Sequence, residues 1–517
     1  LFATRPAIFP KFAGLFASKF PKSLKHFIFL GRCGAVAMTQ QVFIFFLVRR
    51  PLRSPRAPNP RTSVAANDAP LRTYDELFAP LHGAEKPASA WRVGAEMEKF
   101  GVTADGAPLP FHAVNGGPSV EAFLTMFLKE HRFFAEPEYE GGPVIALARE
   151  EAGLRESITL EPGSQFELSG AAHSSMFAVA AEFDAHLAAL RPLSEELGVT
   201  WLGTGFHPFS KRADYAFVPK LRYAVMREYL PTRGQYGLDM MLRTSTVQAN
   251  YDYSDEADAI KKLQVATKLA PLNAALFANS PFYEGELTEN ASYRSRVWLD
   301  VDNSRSGLVA PIWQAGAGYK EYIEWALDAP MFLFKRAGKV VDNRGQAFRD
   351  FWKNGFQGHF PTHGDWETHL NTLFPEVRLK KTIEIRSADA QGNDTAIALP
   401  ALWTGLLYDS QALAEANALV ADFSFDEISA LRPVLWQKGL QTPFRGGTLA
   451  DVASDVLRIA AGGLERRAIR DTSGVDERVF LATLKDLVAA GKTPADRVRE
   501  RLGENPAKAD ILAALAL

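Results

Sequence analysis

The stretch SITLEPGSQFELSG, residues 157–170, alternates apolar and polar side chains. The apolar residues stand at even positions: Ile158, Leu160, Phe166 and Leu168. The polar residues stand at odd positions: Glu161, Gln165 and Glu167. Because successive side chains of an extended chain point to opposite faces, the pattern predicts strand structure with one apolar and one acidic face. Pro162 and Gly163 indicate a turn or bulge, so parity alone joins Gln165 to Glu167 but not Glu161 to Glu167.

Three more segments show the same alternation. RVGAEMEKFG (92–101) puts Glu96 and Glu98 on one face, TSTVQANYDYS (244–254) puts Thr246, Gln248, Asn250 and Asp252 together, and KTIEIRSAD (381–389) puts Glu384 and Arg386 together. Helical patterns such as residues 119–131 and 176–197 lie between these segments. The sequence therefore predicts an α+β fold: a largely antiparallel sheet with a concave, carboxylate-lined face and helices packed on the other face.

The charge distribution separates a leader from the rest of the chain. Residues 1–67 contain eleven Lys or Arg and no Asp or Glu, whereas residues 68–517 contain 47 basic and 60 acidic residues. An acid-poor basic leader is typical of an organellar transit segment, and upstream translation outside the working protein is the alternative, because the first Met is Met38. We expect residues 1–70 to form the leader and a Pro-rich linker, 71–409 a catalytic domain, and 410–517 a helical C-terminal region packed on that domain.

Several classes of function are excluded by composition and motifs. The acidic body argues against nucleic-acid binding, and the apolar run 42–48 is shorter than the ~20 residues of a membrane-spanning helix. Cys33 is the only cysteine, so the body has no disulfide, cysteine nucleophile or cysteine zinc site. Phosphate-loop, dinucleotide-binding, HExxH and GxSxG motifs do not occur. The segment THGDWETHL (362–370) resembles a metal motif but is predicted to be a capped helix start.

The composition of the polar face favours a metal site. A polar sheet face is commonly just solvated, but this one gathers Glu, Gln, Asn and Arg. Its five glutamates would repel one another without cations among them: Glu96, Glu98, Glu161, Glu167 and Glu384. Oxygen ligands without cysteine favour Mg²⁺ over Zn²⁺.

Arginines accompany the carboxylates. Arg294 and Arg296 in SYRSRVW are predicted to share a strand face, and Arg243 precedes the strand that carries Gln248. Guanidinium groups bind phosphate and carboxylate through paired hydrogen bonds. Arginines beside a carboxylate cluster therefore indicate a phosphoryl-transfer site in which metal and arginine hold the phosphates.

The ordered set of motifs resembles a known family. It comprises WRVGAEMEKFG, SITLEPGSQFELSG, PKLRYAVMREYLP, GLDMMLRTSTVQANYDYS, ALFANSPF, SRVWLDVDNSRSG, DWETHLNTLFPEVRLKKTIEIRSAD and ALPALWTGLLYD. From Trp91 to Asp409 the chain is similar to glutamate–cysteine ligases of the plant and proteobacterial type, in the glutamine-synthetase-like superfamily. The resemblance implies ATP-dependent coupling of L-cysteine to the γ-carboxylate of L-glutamate through a γ-glutamyl phosphate, the first step of glutathione synthesis.

The resemblance also implies roles for individual residues. It implies two or three Mg²⁺ ions held by Glu96, Glu98, Glu161, Glu167, Gln248 and Glu384. It implies phosphate or substrate-carboxylate contacts by Arg294, Arg296 and Arg386. It implies substrate or ATP binding by Arg243, Arg222, Gln165 and Asn250.

Two alternatives to this function stay open at the level of sequence. A related γ-glutamyl ligase using another amine would have the same metal and phosphoryl machinery, and a catalytically silent relative would bind glutamate or nucleotide only. We expect a cytoplasmic monomer or weak homodimer that binds only small molecules, or an organellar protein if the leader is a transit segment.

Overall fold

The computed structural model of the protein describes residues 68–139 and 141–517. The predicted leader falls almost entirely on residues 1–67, which lie outside the described residues. In the two described ranges, no helix combines the length and the apolar character that crossing a membrane would need.

Within the described residues, nine strands form one main antiparallel sheet. They are β1 (Val93–Val102), β2 (Phe134–Ala135), β3 (Ala146–Glu151), β4 (Leu154–Leu160), β5 (Phe166–Ser169), β6 (Thr200–Leu202), β7 (Thr246–Tyr251), β8 (Val377–Leu379) and β9 (Ile383–Asp389). The order across the sheet is β8-β9-β7-β1-β5-β4-β3-β2, and β6 pairs with the end of β1. The central strand is therefore β1, which carries Glu96 and Glu98.

Helices and short strand pairs make up the rest of the described chain. The α-helices are Ala79–His82, Val120–Glu130, Met176–Leu197, Leu221–Tyr229, Gly237–Arg243, Glu256–Leu276, Tyr293–Val297, Tyr319–Asp328, Phe348–Asn354, His363–Leu370, Asn393–Ala396, Ala398–Leu407, Ser410–Leu419, Phe425–Lys438, Leu449–Arg467, Ala482–Ala489, Pro494–Leu502 and Lys508–Leu515. Short 3-10 helices span Asp75–Phe78, Ala88–Ala90, Arg212–Asp214, Leu230–Thr232, Ala310–Trp313, Gly439–Gln441 and Glu477–Leu481. The strand pairs are Phe282–Tyr283 with Glu286–Leu287, Ser306–Gly307 with Phe374–Pro375, Phe334–Arg336 with Lys339–Val341, and Pro443–Phe444 with Gly447–Thr448.

The apolar face of the sheet forms the core, as the alternation predicts. Ile158, Leu160, Phe166 and Leu168 are all fully buried. The central strands pack against three helices, Met176–Leu197, Glu256–Leu276 and Ala398–Leu407. Helix Leu449–Arg467, in the C-terminal region, packs on helix Ala398–Leu407. Full burial of one such side chain contributes about 1.5–3 kcal/mol. The predicted α+β architecture, with helices on one face and a helical C-terminal region, is confirmed.

The residues between β4 and β5 form a tight turn that is fastened to a neighbouring helix. The Glu161 N–H donates to the Gln165 carbonyl (3.0 Å), and Ser164 adopts a φ of 69°. The Gln165 amide accepts from the Gly163 N–H (2.8 Å) and donates to the carbonyls of Met241 (3.2 Å) and Thr244 (2.8 Å). The turn therefore fixes Glu161 relative to helix Gly237–Arg243.

One strand prediction is wrong. Residues 293–297 form a helix because the Ser292 hydroxyl caps its start, accepting the Ser295 N–H at 3.0 Å. Asp389 of β9 accepts a hydrogen bond from the same hydroxyl at 2.9 Å. Residues two apart on a helix do not face the same way, so Arg294 and Arg296 separate.

Strand β9 contains an irregularity beside the site. Residues 383–385 face 251–249 of β7, whereas Ala388 and Asp389 face Val247 and Thr246. A bulge lies between Ile385 and Ala388, at Arg386 and Ser387. By contrast, THGDWETHL is regular: Thr362 and Asp365 form a capping box on helix His363–Leu370, as predicted.

Replacing Gly163 should destabilise the protein. An alanine Cβ at this position would lie 2.5 Å from the Leu242 carbonyl oxygen, so the turn or the helix must move. We expect Gly163→Ala to lower the free energy of unfolding by about 1–3 kcal/mol, measured by denaturant titration. Gly392→Ala is the matched control, because nothing lies within 4 Å of its added Cβ. Equal stability of the two variants would contradict this account.

Candidate active site

Polar side chains from six strands share the face opposite the core. They are Glu96 and Glu98 of β1, Thr159 of β4, Glu167 and Ser169 of β5, Thr246, Gln248 and Asn250 of β7, Arg378 of β8, and Glu384 and Arg386 of β9. The register sets Glu96 opposite Gln248 and Ser169, and Glu98 opposite Glu167. The two carboxylates of β1 thus lie in the middle of the polar face.

The β1 carboxylates are held by neutral donors. Asn250 donates to Glu96 (2.8 Å), and the Thr246 N–H donates to Glu98 (3.0 Å). Burial, with repulsion from neighbouring carboxylates, raises the pKa of Glu96 to about 7 and that of Glu98 well above its ordinary value of 4.5. The protein's own donors therefore do not fully offset the cost of ionising these two carboxylates.

Glu384, in contrast to Glu96 and Glu98, is surrounded by cationic side chains. Its carboxylate accepts from Arg378 (2.6 and 3.0 Å), Lys380 (2.9 Å) and Arg386 (2.9 Å). Burial alone would raise the pKa of Glu384, but these three cations outweigh it and hold the pKa well below 4.5. Arg386 also donates to Gln248 (2.6 Å). Glu384 and Gln248 are thus engaged by the same guanidinium.

The remaining two predicted metal ligands lie on the other side of β1. Glu167 accepts from Thr159 (2.5 Å) and Ser169 (2.9 Å). Glu161 lies in the turn, and its carboxylate is 3.5 Å from the Tyr223 hydroxyl. Repulsion from both carboxylates contributes to the raised pKa of Glu98. The structure therefore brings Glu98, Glu161 and Glu167 together despite the break in alternation at Pro162.

The donor set suits Mg²⁺, although no cage is preformed. In the described ranges, no group of three or more His, Cys, Asp or Glu side chains is arranged to hold a metal ion. Mg²⁺ commonly binds through one or two carboxylates together with substrate phosphates rather than in an all-protein cage. Carboxylates with raised pKa, such as Glu96 and Glu98, are groups whose charge a divalent cation would neutralise.

A cavity, which we call the central cavity, opens beside these carboxylates. Its lining includes Glu98, Glu161, Gln165, Arg222, Thr246, Arg294 and Arg386. Arg294 donates to the Arg386 carbonyl at 2.8 Å, and burial lowers the Arg294 pKa against the opposing effect of Asp389 and Glu98. Burial also opposes the charge of Arg386, but Glu384 and Glu96 raise its pKa. Both guanidinium groups therefore stay charged next to the carboxylates.

The structure does not bring every predicted residue into the central cavity. Arg243 and Arg296 line a different cavity with Tyr236, Tyr283 and Tyr293. Asn250 does not line the central cavity; it bonds Glu96 and accepts from Thr382 (2.9 Å). Gln165 lines the cavity, yet both ends of its amide are committed to the turn.

Sequence reasoning missed the cations that hold Glu384. Arg378 and Lys380 stand in VRLKK, immediately before β9, and form a hairpin with it in which Arg378 faces Glu384. Alternation within single strands does not reveal this pairing. The signal was the short spacing between a basic run and a strand that carries a buried acid.

Known proteins share this architecture and sequence. The fold resembles that of glutamate–cysteine ligase from Francisella tularensis, solved in complex with AMP, with a TM-score of 0.50 and 14% identity over 82% of this chain and 87% of that chain. The chloroplastic glutamate–cysteine ligases of Brassica juncea and Nicotiana tabacum are 41% and 40% identical over 448 residues, covering 86% of this chain and 84% and 82% of those proteins. This chain therefore has an α+β fold of the type found in glutamate–cysteine ligases.

The family follows from the sequence match. The model of glutamate-cysteine ligase family 2 (GCS2) matches residues 92–513. The chain belongs to this family, as the resemblance of its motifs implied.

Mg²⁺ should stabilise the protein more strongly as the pH rises. Because the pKa of Glu96 is about 7 in the folded chain against 4.5 ordinarily, its ionisation destabilises the metal-free fold as pH rises between these values. Metal binding requires the ionised carboxylates, so the gain in melting temperature on adding Mg²⁺ should be larger at about pH 8 than at about pH 6. Thermal melts with and without Mg²⁺ measure this gain. Glu98→Gln should reduce it, and an equal gain at both pH values would count against the metal site.

Removing the charge of Glu384 should cost stability. Glu384→Gln leaves three cations around a buried neutral group, and loss of one partner of a buried ion pair costs about 3–5 kcal/mol. We expect a lower unfolding midpoint in urea. Glu367→Gln is the control, since its ion pair with Lys381 is much more exposed and such pairs contribute about 0–1 kcal/mol. Comparable losses in the two variants would show that the cation cluster does not depend on Glu384.

Proposed function

We propose that the protein couples L-cysteine to the γ-carboxylate of L-glutamate with ATP as co-substrate, through a γ-glutamyl phosphate, as the first step of glutathione synthesis. The observation that carries the proposal is the meeting of Glu98 and Glu161 with Arg294 and Arg386 at one cavity, in a chain of the glutamate-cysteine ligase family. The names of the plant relatives and the AMP complex of the Francisella tularensis ligase support the substrates and the use of ATP.

Six residues are proposed to hold two or three Mg²⁺ ions with ATP. They are Glu96, Glu98, Glu161, Glu167, Gln248 and Glu384. When bound, the ions would neutralise the charge of the ATP phosphates. Asn250 and Thr246 orient Glu96 and Glu98 through their hydrogen bonds. Glu384 orients Arg386, and Arg386 in turn orients the Gln248 amide.

Arg294 and Arg386 are proposed to bind the glutamate carboxylates or the transferred phosphoryl group. Both are charged, largely buried and adjacent in the cavity wall. Donors already in place at the reacting group lower the cost of the charge that develops there. Arg222 lies in the same wall over the ring of Tyr223 (5.1 Å) and provides a third cation. Gln165 positions the turn that carries Glu161.

The apolar part of the cavity favours cysteine as the amine acceptor. Met226, Met240, Trp298 and Phe374 line the same cavity as Glu98 and Glu161. Sulfur atoms make favourable contacts with aromatic rings and with other polarisable groups. A thiol side chain therefore suits this lining better than a charged or strongly hydrated one. Another small amine is the alternative acceptor.

An ADP-release assay tests the function. Enzyme, Mg²⁺, ATP and L-glutamate are combined with L-cysteine, L-alanine, glycine or L-serine, and γ-glutamyl products are identified by mass spectrometry. We expect the largest kcat/KM with cysteine, and at least about a hundredfold loss in Arg386→Gln, because a charge-assisted contact to the reacting group is removed. Faster turnover with another amine would exclude cysteine as the natural acceptor. Absence of ADP release with every amine would indicate a silent binding protein.

The cellular location and the oligomeric state stay predictions. We expect a cytoplasmic protein, or an organellar one if residues 1–70 contain a transit segment, that is a monomer or weak homodimer. The acidic composition of residues 68–517 supports the expected lack of nucleic-acid partners. Size-exclusion chromatography with light scattering measures the oligomeric state directly.

A further inference from the structure

A second cavity lies beyond the central one, and we call it the tyrosine–arginine cavity. It has a volume of about 350 Å³ and its walls include Arg212, Arg243, Arg296, Tyr236, Tyr283 and Tyr293. Cavities of about 300–1,000 Å³ hold small-molecule ligands. None of the residues lining it also lines the central cavity. It is therefore a separate space with its own chemistry.

Two short helices divide the two cavities. Helix Gly237–Arg243 presents Met240 to the central cavity and Arg243 to the tyrosine–arginine cavity. Helix Tyr293–Val297 presents Arg294 to the first and Arg296 to the second. Because residues 293–297 are helical, Arg294 and Arg296 line different cavities.

The second cavity carries excess positive charge. Lys211, Arg212, Arg243 and Arg296 line it, against the carboxylates of Asp239 and Glu284. Asp239 is shared by Arg212 and Arg243, and Glu284 lies 3.4 Å from Arg243 and 3.8 Å from Lys211. Both carboxylates are therefore already engaged, and Arg296 is left without a counter-charge among residues 68–139 and 141–517.

Hydrogen-bond donors in the wall also lack acceptors. Arg296 lies over the rings of Tyr236 (5.8 Å), Tyr293 (5.5 Å) and Trp436 (5.1 Å) but has no hydrogen-bond acceptor in the described part of the chain. Arg243 is 2% exposed, and its Nε and Nη2 are buried without a partner there. A buried guanidinium with unpaired donors is unfavourable, so an anion bound next to it would stabilise its charge.

Aromatic rings provide flat walls. The rings of Tyr283 and Tyr293 stack at 4.9 Å and 22°, and Phe206 stacks on Tyr283 at 6.2 Å and 11°. Arg243 lies over Phe206 at 4.5 Å and over Tyr283 at 5.1 Å. Such walls accept a flat apolar body next to a cationic end.

We propose that the tyrosine–arginine cavity binds a small organic anion, a carboxylate or a phosphate ester with a flat apolar body, at a site distinct from the central cavity. The anionic group pairs with Arg296, next to Arg243, and the body lies against Tyr283 and Tyr293. The proposal does not depend on the substrates of the central cavity.

Calorimetric titration of the full chain with benzoate, phenyl phosphate and neutral benzamide tests the site, without ATP or glutamate. We expect one or both anions to bind and benzamide not to bind. The better of the two anions identifies whether the site prefers a carboxylate or a phosphate. Arg296→Gln and Tyr283→Ala should each weaken binding by about tenfold or more, since one removes the charged donor and the other the exposed stacking wall.

Arg386→Gln is the matched control, because it removes an arginine from the central cavity and should leave anion binding unchanged. Thermal melts establish that each variant is folded. Binding lost in Arg386→Gln but kept in Arg296→Gln would place the anion in the central cavity and overturn the proposal. Equal binding of benzamide, or no binding of either anion at millimolar concentration, would also overturn it.

Discussion

The architecture of the site depends on the mutual repulsion of buried carboxylates on one sheet face. Glu96 and Glu98 occupy the central strand, where burial and the neighbouring carboxylates disfavour ionisation and raise the pKa of both side chains. At strand β9, which β7 separates from the central strand, Arg378, Lys380 and Arg386 all pair with a single carboxylate, Glu384. The face is thus divided into a part where the protein's own cations stabilise an ionised carboxylate and a part where ionisation is disfavoured. Burial of the apolar core on the other face offsets the free-energy cost of burying these charged groups.

The strands and their polar face could be predicted because alternation is a local property. Ile158, Leu160, Phe166 and Leu168 are buried as their parity indicates, and the same holds for the segments that carry Glu96, Gln248 and Glu384. Contacts between distant segments could not be predicted in the same way. The pairing of Arg378 with Glu384 depends on a hairpin, and the approach of Glu161 to Glu98 depends on a turn anchored by Gln165.

The arginines show where local pattern fails. Arg294 and Arg296 have the spacing of a strand face, but the cap at Ser292 and its hydrogen bond to Asp389 make residues 293–297 helical. The Ser292 cap on the Ser295 N–H is local, but its hydrogen bond to Asp389, 97 residues away, is a tertiary contact that a window of sequence around the arginines does not reveal. The consequence is large: one arginine belongs to the carboxylate site and the other to a separate cavity.

The bulge in β9 makes the register of this strand depend on its exact number of residues. Residues before it keep Glu384 in register with β7, and residues after it place Asp389 where it meets Ser280 and Ser292. Both halves of β9 pair with β7, and the bulge between Ile385 and Ala388 shifts the register from one half to the other. Insertions and deletions in this strand are therefore far more disruptive than substitutions, since a change of one residue reorients one half relative to the other.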